Sequence, residues 1–172
     1  MLDQDFLYKL LTSNSRAQND FARDKNFKQL ISSLNKESVV LDIGANIGNV
    51  SNYILEKRES KIFAFEPNSL CCEIMNRRFL DDKRIKIYNL AVSNFSGLAD
   101  FYLHEKSSGI KDFGFIESSS LKNQKDNVSI KKSIKINVIN ISEIIAKFNK
   151  IDLIKIDVEG SEYEIVPFLI SK

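Results

Sequence analysis

The sequence has 172 residues, 43% of them hydrophobic and 28% charged, with a formal net charge of +2 at pH 7. That length supports one globular domain and is too short for two that each bury an adequate core. The near-balance of charge gives no basis for nucleic acid as a partner, because phosphate binding needs a concentrated basic surface.

Residues 5–36 read as an N-terminal helical segment, set apart at 1–37 from a domain over 38–172. Phe6, Leu7, Leu10 and Leu11 form one apolar stripe, and Phe21, Phe27, Leu30, Ile31 and Leu34 form a second. Asp3 and Asp5 interrupt any cleavable apolar leader, and no apolar run reaches the length of a membrane span. The two cysteines, Cys71 and Cys72, are adjacent and cannot adopt ordinary disulfide geometry. They read as free thiols on a helix, which suits a reducing compartment, and a cytoplasmic location is the expectation.

The texture changes at residue 38. VVLDIG (39–44) is a β-branched run ending in glycine, as expected of a strand covered on both faces. Ile47, Val50, Ile54 and Leu55 then recur at helical spacing within 46–57. KIFAFEP (61–67) is a second buried strand, and Asn68 and Ser69 are good starters for the helix that follows. RIKIYNLAVS (84–93) reads as a third strand. Strand, helix, strand, helix, strand at this spacing predicts a doubly wound, mostly parallel α/β sheet.

Beyond it, GLADFYLHE (97–105) and SIKINVIN (133–140) alternate like half-exposed strands, with a long polar loop between them. Lys122, Lys125, Lys131, Lys132 and Lys135 share their stretch with Asn123, Asp126 and Asn127, and read as solvated. ISEIIAKF (141–148) predicts a short helix, DLIKIDVEG (152–160) a fourth buried strand, and the chain from Ser161 another helix.

The residues with chemical potential gather at strand ends. Asp42, Gly44, Asn46 and Gly48 follow the first strand, where open parallel sheets bind their ligands. The spacing is GxNxG rather than GxGxxG, and the leading acid suits a ligand with positive charge or hydroxyl and amine donors. This argues against a nicotinamide oxidoreductase. Glu66 ends the second strand, about 20 residues beyond the turn, the position from which a carboxylate accepts hydrogen bonds from ribose hydroxyls. Together they predict a nucleoside site.

The segments LDIGANIGNVS, FAFEPN, NLAVSNFSG and DLIKIDVEGSE, in that order, resemble the FkbM family of S-adenosylmethionine-dependent methyltransferases. The resemblance runs from about residue 38 onward and implies a Rossmann-like class I methyltransferase fold. It implies that the backbone at Gly44, Asn46 and Gly48 holds the methionine part of the cofactor, with Asp42 beneath it. Glu66 would bind the ribose, Pro67 and Asn68 would form the turn after it, and Asn89 and Ala91 would lie by the adenine. The family mostly methylates hydroxyl groups, so the implied partner is a small-molecule or glycan hydroxyl acceptor. Phe113, Phe115 and Ser118 to Ser120 resemble its acceptor-side loop.

Acceptor chemistry is expected at the last motif. Methyl transfer from a sulfonium is an in-line displacement that needs a positioned, deprotonating acceptor site. Asp157 is the first candidate and Glu159 the second, while Glu162 serves equally as a helix-start residue. Lys155 lies among Ile and Val on the face of Asp157, so either a buried ion pair with Asp42, Asp157 or Glu159 is expected or an ammonium that snorkels out of an edge. His104, the only histidine, is an available base but more simply an exposed loop residue. Asp157, Glu159 and Glu162 are oxygen ligands in kind, but no spacing demands a metal. Relative to the family's fold the chain is expected to lack its C-terminal strands. That leaves the fourth strand an edge open to a second copy. It also leaves a catalytically incomplete, cofactor-binding module as the alternative to an active enzyme.

Overall fold

A computed structural model describes residues 23–104, 128–158 and 162–170. Three β-branched or aromatic runs, β1 (Val39–Ile43), β2 (Lys61–Phe65) and β3 (Ile85–Tyr88), form parallel strands in the order β3-β2-β1. The fourth strand of this sheet, β7 (Leu153–Ile156), joins parallel on the far side of β1. Strand order therefore reverses at β1, and the crevice beyond its carboxyl end is the ligand-binding position of such sheets. The register sets Asp42 of β1 beside Ala64 of β2 and Lys155 of β7.

Alternation along the strands builds a core on each face. Val40, Ile62 and Ala64 point toward α1 (Lys25–Ser32), α2 (Asn49–Lys57) and α3 (Ser69–Arg78), where Phe27, Ile31, Ile54, Met75 and Phe79 are buried with them. Leu41, Ile43 and Phe65 point the other way, against Ile141 and Ile144 of α4 (Ile141–Ile145) and Ile165 of α5 (Glu162–Ile170). The molecule is thus an α/β domain with a doubly wound parallel sheet, the Rossmann-like arrangement expected of the sequence. Asp24 starts α1 by accepting from the amides of Asn26 and Phe27, and α1 buries Phe27 and Ile31 in the first core.

The region 84–93 departs from the single strand that its apolar texture predicts. It divides into β3 and β4 (Ala91–Ser93), which belong to different sheets. The cause is local: the Leu90 amide bonds back to the Tyr88 carbonyl at 2.9 Å, tightening the chain at Asn89. β4 then pairs parallel with β6 (Val128–Asn140), and β6 pairs antiparallel with β5 (Gly97–His104). Ala91, Phe101, Ile136 and Val138 are buried between these strands.

Other boundaries shift for similar reasons. The helix expected over 141–148 ends at Ile145, after which the Lys147 and Phe148 amides bond three residues back and close the end with a tighter turn. β7, expected to be buried, is only half-buried at all four positions, because among the described residues it pairs with β1 alone. No helix among the described residues is long and apolar enough to cross a membrane.

Candidate functional site

The turn after β1 is shaped by its neighbours. Gly44 has φ of 74°, and its amide and that of Ala45 both donate to the Phe65 carbonyl of β2, at 2.9 and 3.0 Å. A Cβ on Gly44 would stand 1.9 Å from the Asp157 carbonyl oxygen, so only glycine fits beneath the end of β7. Asn46 also has a positive φ, 51°, a conformation asparagine tolerates; its side-chain oxygen accepts from the Ile47 amide at 2.6 Å. Gly48, the N-cap of α2, is confined by Met75 of α3 and Phe79 just past its end, which a Cβ would meet at 3.1 and 2.8 Å.

Glu66, one residue past β2, faces this turn. One carboxylate oxygen accepts from the Asn46 amide and the other from the Asn68 amide, each at 2.8 Å. Burial dominates its electrostatics and raises its pKa to about 7, although both amides and the more distant Lys155 favour the charged form. A carboxylate offers roughly four lone-pair sites, and two are used here, so acceptor capacity remains. Asn68 is buried and caps α3 by accepting from the Leu70 amide. Asn89 donates its side-chain amide to the carbonyls of Glu66 and Pro67 at 2.9 and 2.8 Å. Ala91 is buried in β4.

Beneath the turn lies a charged floor. The Lys155 ammonium donates to the Gly44 carbonyl at 2.7 Å and sits 3.3 Å from Asp42 Oδ1. Asp42 is fully buried, and its Oδ2 accepts from Ser51 Oγ of α2 at 2.7 Å. Oδ1 has no well-aligned hydrogen bond; the ammonium at 3.3 Å compensates its charge through the ion pair alone. The Lys155 ammonium of β7 therefore bridges the Asp42 carboxylate of β1 and the Gly44 carbonyl of the turn. Of the two candidate acids among the described residues, Asp42 is the closer partner of Lys155, at 3.3 Å against 3.8 Å for Asp157.

Among the described residues, Asp157 is the solvent-exposed acid beside this floor: its side chain is 59% exposed, and Oδ2 lies 3.8 Å from the Lys155 ammonium. Its amide donates to the Ile43 carbonyl at 3.0 Å, which ties the exit of β7 to that of β1. Glu162 accepts from the Val158 amide at 3.0 Å and so braces the same exit. Glu159 lies outside the described residues, as do the segment with Phe113, Phe115 and Ser118 to Ser120 and the side chain of His104.

The structure thus brings Asp42, Gly44, Asn46, Gly48, Glu66, Asn68, Lys155 and Asp157 to the carboxyl ends of β1, β2 and β7. Sequence reasoning missed Ser51, although a serine between apolar-face positions Val50 and Ile54 of an amphipathic helix is a usable signal of a buried polar contact. It also missed Cys72, whose thiol donates to the Glu66 carbonyl at 3.2 Å. Burial, reinforced by the Glu66 carboxylate, pushes that thiol to a pKa of about 12.

The chain is similar to Methyltransferase sdnD of Sordaria araneosa, with 24% identity over 162 residues, 79% of this chain and 62% of that protein. It spans less than two thirds of that relative's length. Among solved structures, that of MccD protein aligns with a TM-score of 0.32 and 12% identity, covering 48% of this chain and 57% of that one. The model of the methyltransferase FkbM domain matches residues 42–168, which run from the buried acid of β1 to α5 and include every strand-end residue described above. The chain belongs to the FkbM methyltransferase family.

Proposed function

We propose that this protein is an S-adenosylmethionine-dependent methyltransferase that transfers the methyl group to a hydroxyl of a sugar or related metabolite. The observation that carries the reading is Glu66: a buried carboxylate at the strand-order switch, hydrogen-bonded to the glycine turn 20 residues upstream. Its two remaining acceptor sites match the two hydroxyls of a ribose. Gly44, Asn46 and Gly48 would hold the methionine part by backbone, and Lys155 keeps that backbone in place by its bond to the Gly44 carbonyl.

The residues present fit such a cofactor, which would supply an electrophilic methyl group on a sulfonium. What the protein adds is placement and proton handling. Asp157, exposed at the exit of β7, is able to accept a hydrogen bond from an acceptor hydroxyl and to take its proton as the oxygen attacks. Glu66 and the turn would hold the nucleoside in place, and such positioning is what an in-line transfer needs.

The test is formation of S-adenosylhomocysteine from S-adenosylmethionine over a panel of sugars and hydroxylated metabolites. A hydroxyl-dependent signal that falls at least about a hundredfold in Asp157→Asn, as loss of a general base typically does, supports the reading. A signal that appears only with amine or thiol acceptors overturns the assignment of a hydroxyl. An unchanged rate in Asp157→Asn overturns the role of that carboxylate.

A further inference from the structure

The side chain of Asn89 is spent on a contact that the nucleoside reading does not require. It sits at the break between β3 and β4, where the chain leaves one sheet for the other. Its Nδ2 donates to the carbonyls of Glu66 and Pro67 at 2.9 and 2.8 Å, and lies 3.5 Å from Cys72 Sγ. Both partners are carbonyl oxygens, which only accept, so the orientation of the amide is fixed by its surroundings. A side-chain amide nitrogen has two hydrogens, and both are engaged. The Glu66 amide in turn donates to the Tyr88 carbonyl at 3.0 Å, and its carbonyl also accepts from Cys72. Pro67 has no amide hydrogen to contribute. Among the described residues, Asn89 is the donor that holds the Pro67 carbonyl.

We propose that Asn89 is a positioning residue for Glu66: its amide clamps the carbonyls of residues 66 and 67 and so aims the carboxylate. The inference rests on the nucleoside reading above. It assigns Asn89 an action through the ribose carboxylate in place of a contact with the base. The two readings differ in chemistry. A contact with the base has only Oδ1 left to make it, and an aspartate at this position keeps such an acceptor. The clamp needs the Nδ2 donor, which aspartate lacks.

The experiment is titration calorimetry of the wild type, Asn89→Asp and Asn89→Ala with S-adenosylhomocysteine and with its 2′-deoxy analogue. Thermal unfolding accompanies each variant, and Asn89→Asp, nearly isosteric at a solvent-facing position, preserves the shape if the alanine variant does not fold. The clamp predicts that both variants lose about tenfold in affinity for S-adenosylhomocysteine, the scale of one weakened hydrogen bond between ribose and a misplaced Glu66 carboxylate. Against the deoxy analogue, which has already lost a ribose contact, the loss shrinks to less than about twofold, because the effects share one partner and are not additive. Equal losses on both ligands, or wild-type affinity in Asn89→Asp, overturn the inference. Wild-type protein that binds neither ligand overturns the nucleoside reading itself, and this inference with it.

Discussion

Replacing Lys155 by methionine removes the ammonium and keeps most of the side chain's volume. What it leaves behind is Asp42, a carboxylate with no exposed surface whose Oδ1 has the ammonium as its close charge partner at 3.3 Å. Lys155 is itself only 11% exposed, so solvent screens the pair little. Removing one partner of a buried pair typically costs about 3–5 kcal/mol, since the other charge stays buried and unpaired. Ser51 still donates to Oδ2 and moderates the loss. The lower end, about 3 kcal/mol, is therefore expected for Lys155→Met. The Gly44 carbonyl also loses its donor, so the glycine turn loosens along with the global fold. Urea unfolding at pH 7 of the wild type, Lys155→Met, Asp42→Asn and the double variant measures this. The double variant, with no unpaired charge, should recover more than half of the loss. Stability changes that simply add, or a Lys155→Met variant within about 1 kcal/mol of the wild type, would refute the reasoning.

Three further outcomes follow from the same geometry. Gly44→Ala should cost more than the roughly 1–2 kcal/mol of a left-handed alanine, because the new methyl group meets the Asp157 carbonyl at 1.9 Å. Thermal unfolding reads this, and a loss no greater than that would mean the exit of β7 yields freely. Glu66 has a folded pKa raised from 4.5 to about 7, so between those values the folded state keeps a proton that the unfolded state has released. Stability should fall as pH rises through that window, by about 3 kcal/mol in all, and Glu66→Gln should flatten the slope. A wild-type profile already flat from pH 4.5 to 7 contradicts this. Finally, burial should keep Cys72 unreactive toward a disulfide reagent at pH 8 until the protein unfolds; rapid labelling of the folded protein at Cys72 contradicts its placement.

The parts of the fold that were legible in the sequence are those written by local pattern. VVLDI and KIFAF are long enough and apolar enough to declare β1 and β2, and the Asn68 cap marks the start of α3. The glycine turn and Glu66 were readable because their separation is set by one βαβ unit. Less legible were features set by distant partners. The apolar texture of 84–93 is continuous and hides the local turn at Asn89, whose side chain is in turn held by residues 22 and 23 positions earlier. The composition of β7 is that of a strand with neighbours on both sides, and its half-burial depends on pairing that no local pattern encodes. Lys155 stood out as a cation in an apolar strand, and register with Asp42 explains it. Its shortest contact, to a backbone carbonyl 111 residues away, leaves no mark in the sequence at all.

The central claim is a nucleoside site built from the glycine turn and Glu66. It is tested most directly by titration calorimetry of the purified chain with S-adenosylhomocysteine, run beside NADH and repeated with Glu66→Ala. The account predicts micromolar binding of S-adenosylhomocysteine, none of NADH, and loss of the former in Glu66→Ala. A folded sample that binds NADH in preference, or that binds S-adenosylhomocysteine equally well without the Glu66 carboxylate, would contradict it.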